Sequence, residues 1–325
     1  MISVADERSA LLAKWLELDT PFKGGSLSIA SADASFRRYF RLLHQEKSYI
    51  VMDAPPDQED SLPFVEIGEW MKKSGISVPI IHAKDLNQGF MVLSDFGDFH
   101  FQDALVKSTD HNTLYQLATD EIISMQSSLT GAVHKLPTFD ISWQWKELEI
   151  FREWCLPEIP EKEYQEHIEI LTHSIDQIPK AFMHRDFHCR NILIRSKNEL
   201  GIIDFQGAMY GPITYDLVSL LRDCYVDNDE NWIMPTILSF QQNLIASGCN
   251  SCQVDKTDFT RWFDLVGLQR HLKCVGIFHR LNKRDHKPEY MKDVPRVLRY
   301  ITTVLDRNPE LNEIKKLVKH ATIEK

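Results

Sequence analysis

The apolar residues of this 325-residue chain change their spacing once, after Gly97, and that change limits the fold more than any other feature. Before it come short runs rich in β-branched and aromatic residues: SLSIA at 26–30, FRRYFRLL at 36–43, YIVMDA at 49–54, then VPIIHAKDL and GFMVLSDFG around Asn87-Gln88-Gly89. Runs of this length and composition, split by turn residues, predict strands, and the short SADA link between the first two fits a hairpin. Two segments there have helical spacing: ERSALLAKWLEL at 7–18 and LPFVEIGEWMKKS at 62–74, the second with Pro63 in its first turn. Beyond Gly97 the helical period dominates, over about 110–129, 144–156, 161–177, 230–247, 257–281 and 289–306. The reading is an α+β chain with a small antiparallel-sheet lobe, residues 1–96, and a larger, mainly helical lobe, residues 97–325. A cleft between two such lobes is a common place for a small-molecule site.

Composition narrows the class. A net charge of −10 argues against broad binding to nucleic acid or an anionic membrane. No apolar run approaches a membrane span, and MISVADERSALLAKW lacks the basic end and apolar stretch of a secretion signal, so a cytoplasmic protein is expected. Six cysteines are scattered, and only GCNSCQ holds a CxxC pair, with no second pair or histidines to complete a zinc site. Reduced thiols are the expectation.

The helical half contains one exception. AFMH, NILIR and LGIID are short, β-rich segments separated by polar turns, and the first turn reads HRDFHCRNILI, His184 to Ile194. Asp186 is followed five residues later by Asn191, and the next strand ends in Asp204-Phe205. Phosphoryl transfer requires a carboxylate beside the attacking hydroxyl and oxygen ligands for the magnesium that bridges the phosphates. Asp186 suits the first role, and Asn191 with Asp204 the second. Any one of these residues alone reads as a turn or cap residue. Their joint spacing, order and strand context match a protein kinase-like catalytic loop.

HRDFHCRNIL, IIDFQGA and GPITYDLVSLLRD together resemble the aminoglycoside phosphotransferase family of small-molecule kinases. The resemblance implies a two-lobed protein kinase-like fold, ATP and Mg²⁺ as cofactors, and a small hydroxyl compound as phosphoryl acceptor. It implies that His184 and Asp216 support the loop, the latter from a helix start, and that His188 and Arg190 lie beside the acceptor. DASFRRYFR, VMDAPP, LSDFGD and LQRHLKCVGIFHRLNKRD narrow the resemblance to bacterial anomeric kinases of N-acetylmuramate and N-acetylglucosamine in cell-wall recycling. Choline, an aminoglycoside or another sugar remains the alternative acceptor. A nucleotide-binding regulatory protein without catalysis is the alternative from another class.

Two positions depart from the kinase pattern. The hairpin SADASF has no glycine, although main-chain N–H groups in a tight turn can still face a phosphate. Met52 stands where the ATP-binding lysine is expected. Arg38 or Arg41, on the neighbouring strand, either supplies that charge or belongs to a solvated strand face; being three apart, they point to opposite faces, and Arg38 is nearer the hairpin tip. Glu66 either pairs with one of these arginines or is exposed. Ser94, Asp95 and Phe96 mark the crossover expected to meet adenine through main-chain atoms. Arg270 is a candidate contact for the carboxylate of an acidic sugar, or a structural residue. Trp143 and Trp145 either stack on a sugar ring or pack in the core.

Overall fold

The computed structural model describes residues 7–31, 37–196 and 199–323. The chain divides into two compact units: residues 1–104 with 192–206, and residues 105–191 with 207–325. The division falls later than the predicted 96/97 boundary, and the strands of NILIR and LGIID group with the first unit. The cause is long-range pairing: the Ile194 N–H donates to the Phe99 carbonyl at 2.9 Å, and the Ile202 N–H to the Ser77 carbonyl at 2.8 Å.

The first unit starts with α1 (Glu7–Leu18) and holds β1 (Ser26–Ser31), β2 (Arg38–His44), β3 (Lys47–Asp53), α2 (Leu62–Lys73), β4 (Ile81–Asp85) and β5 (Phe90–Ser94). The strands form one antiparallel sheet in the order β1-β2-β3-β5-β4. Leu12, Trp15 and Leu16 of α1 share a core with Phe40, Leu42, Val51, Phe90 and Val92, which alternate along their strands. Each such side chain contributes about 1.5–3 kcal/mol on burial. The β2–β3 turn is made by Gln45 and Glu46, both left-handed at φ 49° and 63°, where glycine or asparagine is usual. At Gly89, φ 74°, a Cβ would lie 1.8 Å from the Ala54 carbonyl oxygen, so no other residue fits. The glycine-free hairpin tip, residues 32–36, lies outside the described residues.

The boundary between units falls within α3 (Phe101–Lys107). In the second unit follow α4 (His111–Ser128), α5 (Ile141–Cys155), α6 (Glu161–Asp176) and β6 (Lys180–Met183). The chain returns to the first unit for a hairpin, β7 (Ile192–Ser196) and β8 (Glu199–Ile202). It then completes the second unit with β9 (Met209–Pro212), α7 (Tyr215–Leu221), α8 (Glu230–Ala246), α9 (Lys256–Lys283), α10 (Val294–Arg307) and α11 (Asn312–Ile323). Asp110, Asp140, Asp229 and Asp255 cap α4, α5, α8 and α9, each accepting an N–H from the first turn. The cap at Asp140 explains why α5 starts earlier than apolar spacing suggests. α9 is buried along most of its middle, and it crosses α5 so closely that a Cβ at Gly276 would meet the Ile150 backbone at 2.7 Å. Among the described residues no helix is long and apolar enough to cross a membrane. The expectation of thiols throughout is corrected at one pair: Cys249 and Cys252 form a disulfide, which the CxxC turn permits with Cα atoms 5.7 Å apart.

Candidate active site

In the second unit β6 delivers the chain into the polar loop, and buried carboxylates hold that loop at both ends. Asp216, in the first turn of α7, accepts the His184 N–H at 2.7 Å and the Arg185 N–H at 2.9 Å. Asp223, just past α7, accepts the Cys189 N–H and the Tyr225 N–H, both at 2.8 Å. Arg185 sits at φ 80°, a conformation that costs a non-glycine residue about 1–3 kcal/mol and persists where its surroundings impose it. Within the loop, the Asp186 carbonyl takes the His188 N–H at 3.0 Å and the Asn191 Nδ2–H at 2.9 Å. These bonds use the main-chain oxygen of Asp186 rather than its carboxylate.

The electrostatics under the loop come from α5 and α9. Glu147 of α5 is 4% exposed; its Oε1 accepts from Arg185 Nη2 at 2.7 Å and its Oε2 from Gln269 Nε2 at 3.0 Å. Lys273 of α9 lies 3.4 Å from the same Glu147 and donates to the Tyr215 hydroxyl at 2.9 Å. Burial disfavours ionised Asp186, but the charges of Lys273, His188, Arg185 and Arg270 outweigh it and hold the carboxyl below its ordinary value. Burial also opposes ionisation of Glu147, and Lys273 and Arg185 overcome it there. At Asp216 burial wins over its two N–H donors and pushes the carboxyl up to about 7.

The remaining loop residues are held by ring contacts. The Arg190 guanidinium lies 3.5 Å from the centre of the Tyr225 ring, and His188 meets the same ring edge-on at 5.4 Å. His184 is fully buried against the edge of Phe187. Arg270, expected as a sugar contact or a structural residue, is 3% exposed, and its Nη1 lies 3.6 Å from Cys224 Sγ. Trp143 and Trp145 both lie within α5 and are half-buried; the Trp143 ring takes the Arg185 guanidinium at 5.6 Å.

In the first unit Asp204 is exposed at the end of β8, in a left-handed conformation at φ 63°, and accepts from Gln206 Nε2 at 2.7 Å. Phe205 behind it is buried, stacked on Phe64 of α2 at 4.9 Å and seated against Gly68, where a Cβ would lie 3.1 Å away. Asn191 and Asp204 both offer oxygen donors, the chemistry that magnesium takes, and the Nδ2 bond to Asp186 fixes which end of the Asn191 amide is oxygen.

Met52 is fully buried in the sheet. Arg38 and Arg41 point to opposite faces, as alternation requires. Arg41 shares the face of Met52 through the pairs Tyr39–Met52 and Arg41–Ile50. Arg38 is paired across the strands with Asp53 on the α1 side, together with Phe40 and Val51. Asp53, fully buried, takes Arg38 Nε at 2.9 Å and Arg8 Nε at 3.0 Å. Arg38, the expected stand-in for a lysine at Met52, is thus engaged by a buried carboxylate on the face opposite Met52. Arg41 instead donates to Asp95 and Asp98, at 2.7 Å each. Glu66 is exposed.

The crossover is tightly tied. The Ser94 N–H is spent on the Ile80 carbonyl at 2.9 Å, Asp95 accepts the Gly97 N–H at 2.8 Å, and Phe96 carries the Arg195 guanidinium at 4.4 Å. Glu147, Lys273, Asp223 and Tyr225 were missing from the predicted site. Lys273 was legible as a neighbour of Arg270 by helical spacing; a lone glutamate in a helix carries no such signal.

Solved structures of similar fold include a Plasmodium vivax ethanolamine kinase, with a TM-score of 0.66 over 93% of this chain and 92% of that one at 10% identity. An amicoumacin kinase in complex with AMP-PNP aligns with a TM-score of 0.64 at 15% identity, over 93% and 94% of the two chains. The N-acetylmuramate/N-acetylglucosamine kinase of Pseudomonas aeruginosa is 38% identical over 89% of this chain and 86% of its own. That of Neisseria meningitidis serogroup B is 34% identical over 94% and 93%. Residues 26–242 match the phosphotransferase enzyme family; with relatives this similar over most of its length, the chain belongs to that family.

Proposed function

We propose that this chain transfers the γ-phosphoryl group of ATP to the anomeric hydroxyl of N-acetylmuramate or N-acetylglucosamine. The observation that carries the reading is Asp186, in a loop fixed by two buried carboxylates and surrounded by cations, in a chain akin to kinases of those sugars. Asp186 orients the acceptor hydroxyl and takes its proton. Its depressed pKa makes it a weak base, so most of its contribution is orientation, with the proton arriving late, as a loose phosphoryl-transfer transition state requires. Asn191 and Asp204 are assigned as magnesium ligands on their donor chemistry and their sequence spacing from Asp186. Bound magnesium neutralises charge on the phosphates. Arg41 holds the 94–98 segment, whose main chain meets adenine, through Asp95 and Asp98. His188 and Arg190, arrayed on Tyr225, face the sugar. Arg270 acts on Asp186 through its buried charge.

The test is incubation with ATP, magnesium and a panel of amino sugars, aminoglycosides and choline, read by mass spectrometry. A phosphorylated amino sugar is the expected product. Phosphorylation of choline or an aminoglycoside alone replaces the acceptor, and ATP binding with no product from any acceptor replaces catalysis with a regulatory role.

A further inference from the structure

Neither arginine of β2 supplies the charge that Met52 lacks. Arg38 is engaged, together with Arg8, by fully buried Asp53 on the α1 side, and Arg41 by Asp95 and Asp98 at 2.7 Å each. A further guanidinium stands one residue before β2, at Arg37, which follows the hairpin tip directly in sequence. Arg38 is paired with Asp53, and the Ala54 N–H donates to the Gly89 carbonyl at 2.9 Å, so the ladder runs on past the end of β3. One step further in this register sets Arg37 opposite Ala54. Alternation then places Arg37 with Tyr39 and Arg41, on the face of Met52 and opposite Arg38. The observed partners agree with that division. Arg38 lies 5.8 Å from the centre of the Phe40 ring, on the α1 side, whereas Arg37 meets Glu59, from the segment that leads into α2, at 3.2 Å.

Three features suit Arg37 to an anion. Tyr39 is the cross-strand partner of Met52, so Arg37 is diagonal to Met52; such neighbours are about 7–8 Å apart, within reach of a long side chain. Arg37 is only 7% exposed, and a buried cation requires an opposing charge. Glu59 provides it loosely: 3.2 Å exceeds the roughly 2.7–2.9 Å of a close charge-assisted bond, and the Glu59 side chain is 23% exposed. A guanidinium carries five N–H donors, so it can hold a carboxylate and a phosphate together. The preceding SADASF lacks the glycines that let a backbone approach a phosphate closely, which leaves more of the phosphate charge to side chains.

We propose that Arg37 binds the phosphates of ATP through its guanidinium, in place of the lysine expected at Met52, and that Glu59 orients it. The assignment rests on the function proposed above, in which ATP is the phosphoryl donor. Arg37 makes and breaks no covalent bond; it holds the phosphates and neutralises their charge.

The experiment is calorimetric titration of the full chain, native and substituted, with ATP and magnesium and, separately, with adenosine, in the absence of acceptor. Arg37→Ala should weaken ATP binding by about tenfold to a hundredfold and leave adenosine, which has no phosphate, unchanged. Arg37→Gln should show the same selective loss, and is the variant read if the alanine chain loses its cooperative melting transition. Glu59→Gln breaks the same ion pair but keeps the cation, so its ATP affinity should stay within about fivefold of native. Equal losses of ATP and adenosine affinity in the Arg37 variants overturn the proposal, as do equal losses of ATP affinity in Arg37→Ala and Glu59→Gln, because both would make Arg37 a structural residue. Unchanged ATP affinity in a folded Arg37 variant overturns it too, and leaves the proposed function standing. A native chain that binds no ATP overturns both. Selective loss of ATP from Arg37→Ala, in a protein whose native form phosphorylates no acceptor, upholds the phosphate contact and overturns the proposed function.

Discussion

At the scale of single residues, groups proposed to act on substrate are distinct from groups that hold them in place. Asp186→Asn keeps the size of the side chain and its loop bonds, which run through the carbonyl. Turnover is expected to fall by about 10²–10⁴-fold with ATP affinity nearly unchanged; near-normal turnover, measured beside nucleotide binding by calorimetry, removes Asp186 from the role of base. The arginines of β2 should split. Arg41→Ala removes the guanidinium that Asp95 and Asp98 share, so the two carboxylates repel each other in the 94–98 segment, and ATP affinity should drop about tenfold, roughly 1.4 kcal/mol. Arg38→Ala leaves Asp53 only Arg8 among its two guanidinium partners, so it should destabilise folding by about 1–3 kcal/mol with little effect on ATP. The opposite assignment, with affinity lost at Arg38, restores Arg38 as the phosphate cation.

At the scale of elements, the loop and the strands around it were legible because their polar residues follow one another at fixed spacing in a single segment. The long helices were legible because apolar residues recur at their period, while their starts are set by capping aspartates such as Asp140 that apolar spacing does not register. The rest depends on pairing between segments distant in the chain. Ile194 and Ile202 bond to Phe99 and Ser77, and no local pattern announces partners so far away. Glu147 and Lys273 meet only because α5 and α9 cross at Gly276. α3 is too short to show a period, and α7 is buried on every side, so it has no apolar stripe; α11 does bury Ile314, Leu317, Val318 and Ala321 at helical spacing. One element carries strain that its sequence does conceal: Gln45 and Glu46 turn the β2–β3 hairpin in left-handed conformations. Relieving one, as Glu46→Gly, should raise stability by about 1 kcal/mol. Urea unfolding checks it, and a lowered midpoint would show that the Glu46 side chain matters more than its backbone.

At the scale of the molecule, buried ionisable groups couple stability to pH. His271 is fully buried, its Nε2–H donates to the Arg222 carbonyl at 2.9 Å, and burial, with the neighbouring Arg270 charge, depresses it to about 3. The unfolded chain takes up a proton near the ordinary histidine value of about 6.5. Between these values the unfolded state binds more protons, so stability is full above about 6.5 and is lost as pH falls toward 3. Asp216, raised to about 7, takes its proton in the folded state first and offsets this loss between pH 7 and pH 5, so the check is a comparison: the unfolding midpoint of His271→Gln should fall less, or rise more, over that range than that of the native chain, and equal slopes would mean His271 is not coupled to pH in this way.

In the proposed function Asp186 directs phosphoryl transfer to an anomeric hydroxyl. Phosphorus NMR of the chain with ATP, magnesium and either N-acetylmuramate or its 1-O-methyl glycoside tests it directly, because the glycoside differs only in lacking that hydroxyl. The expected result is a sugar-1-phosphate doublet from the free sugar, none from the glycoside, and none from the free sugar over the same time with Asp186→Asn. Phosphorylation of the glycoside, or an undiminished product signal from Asp186→Asn, would contradict the account.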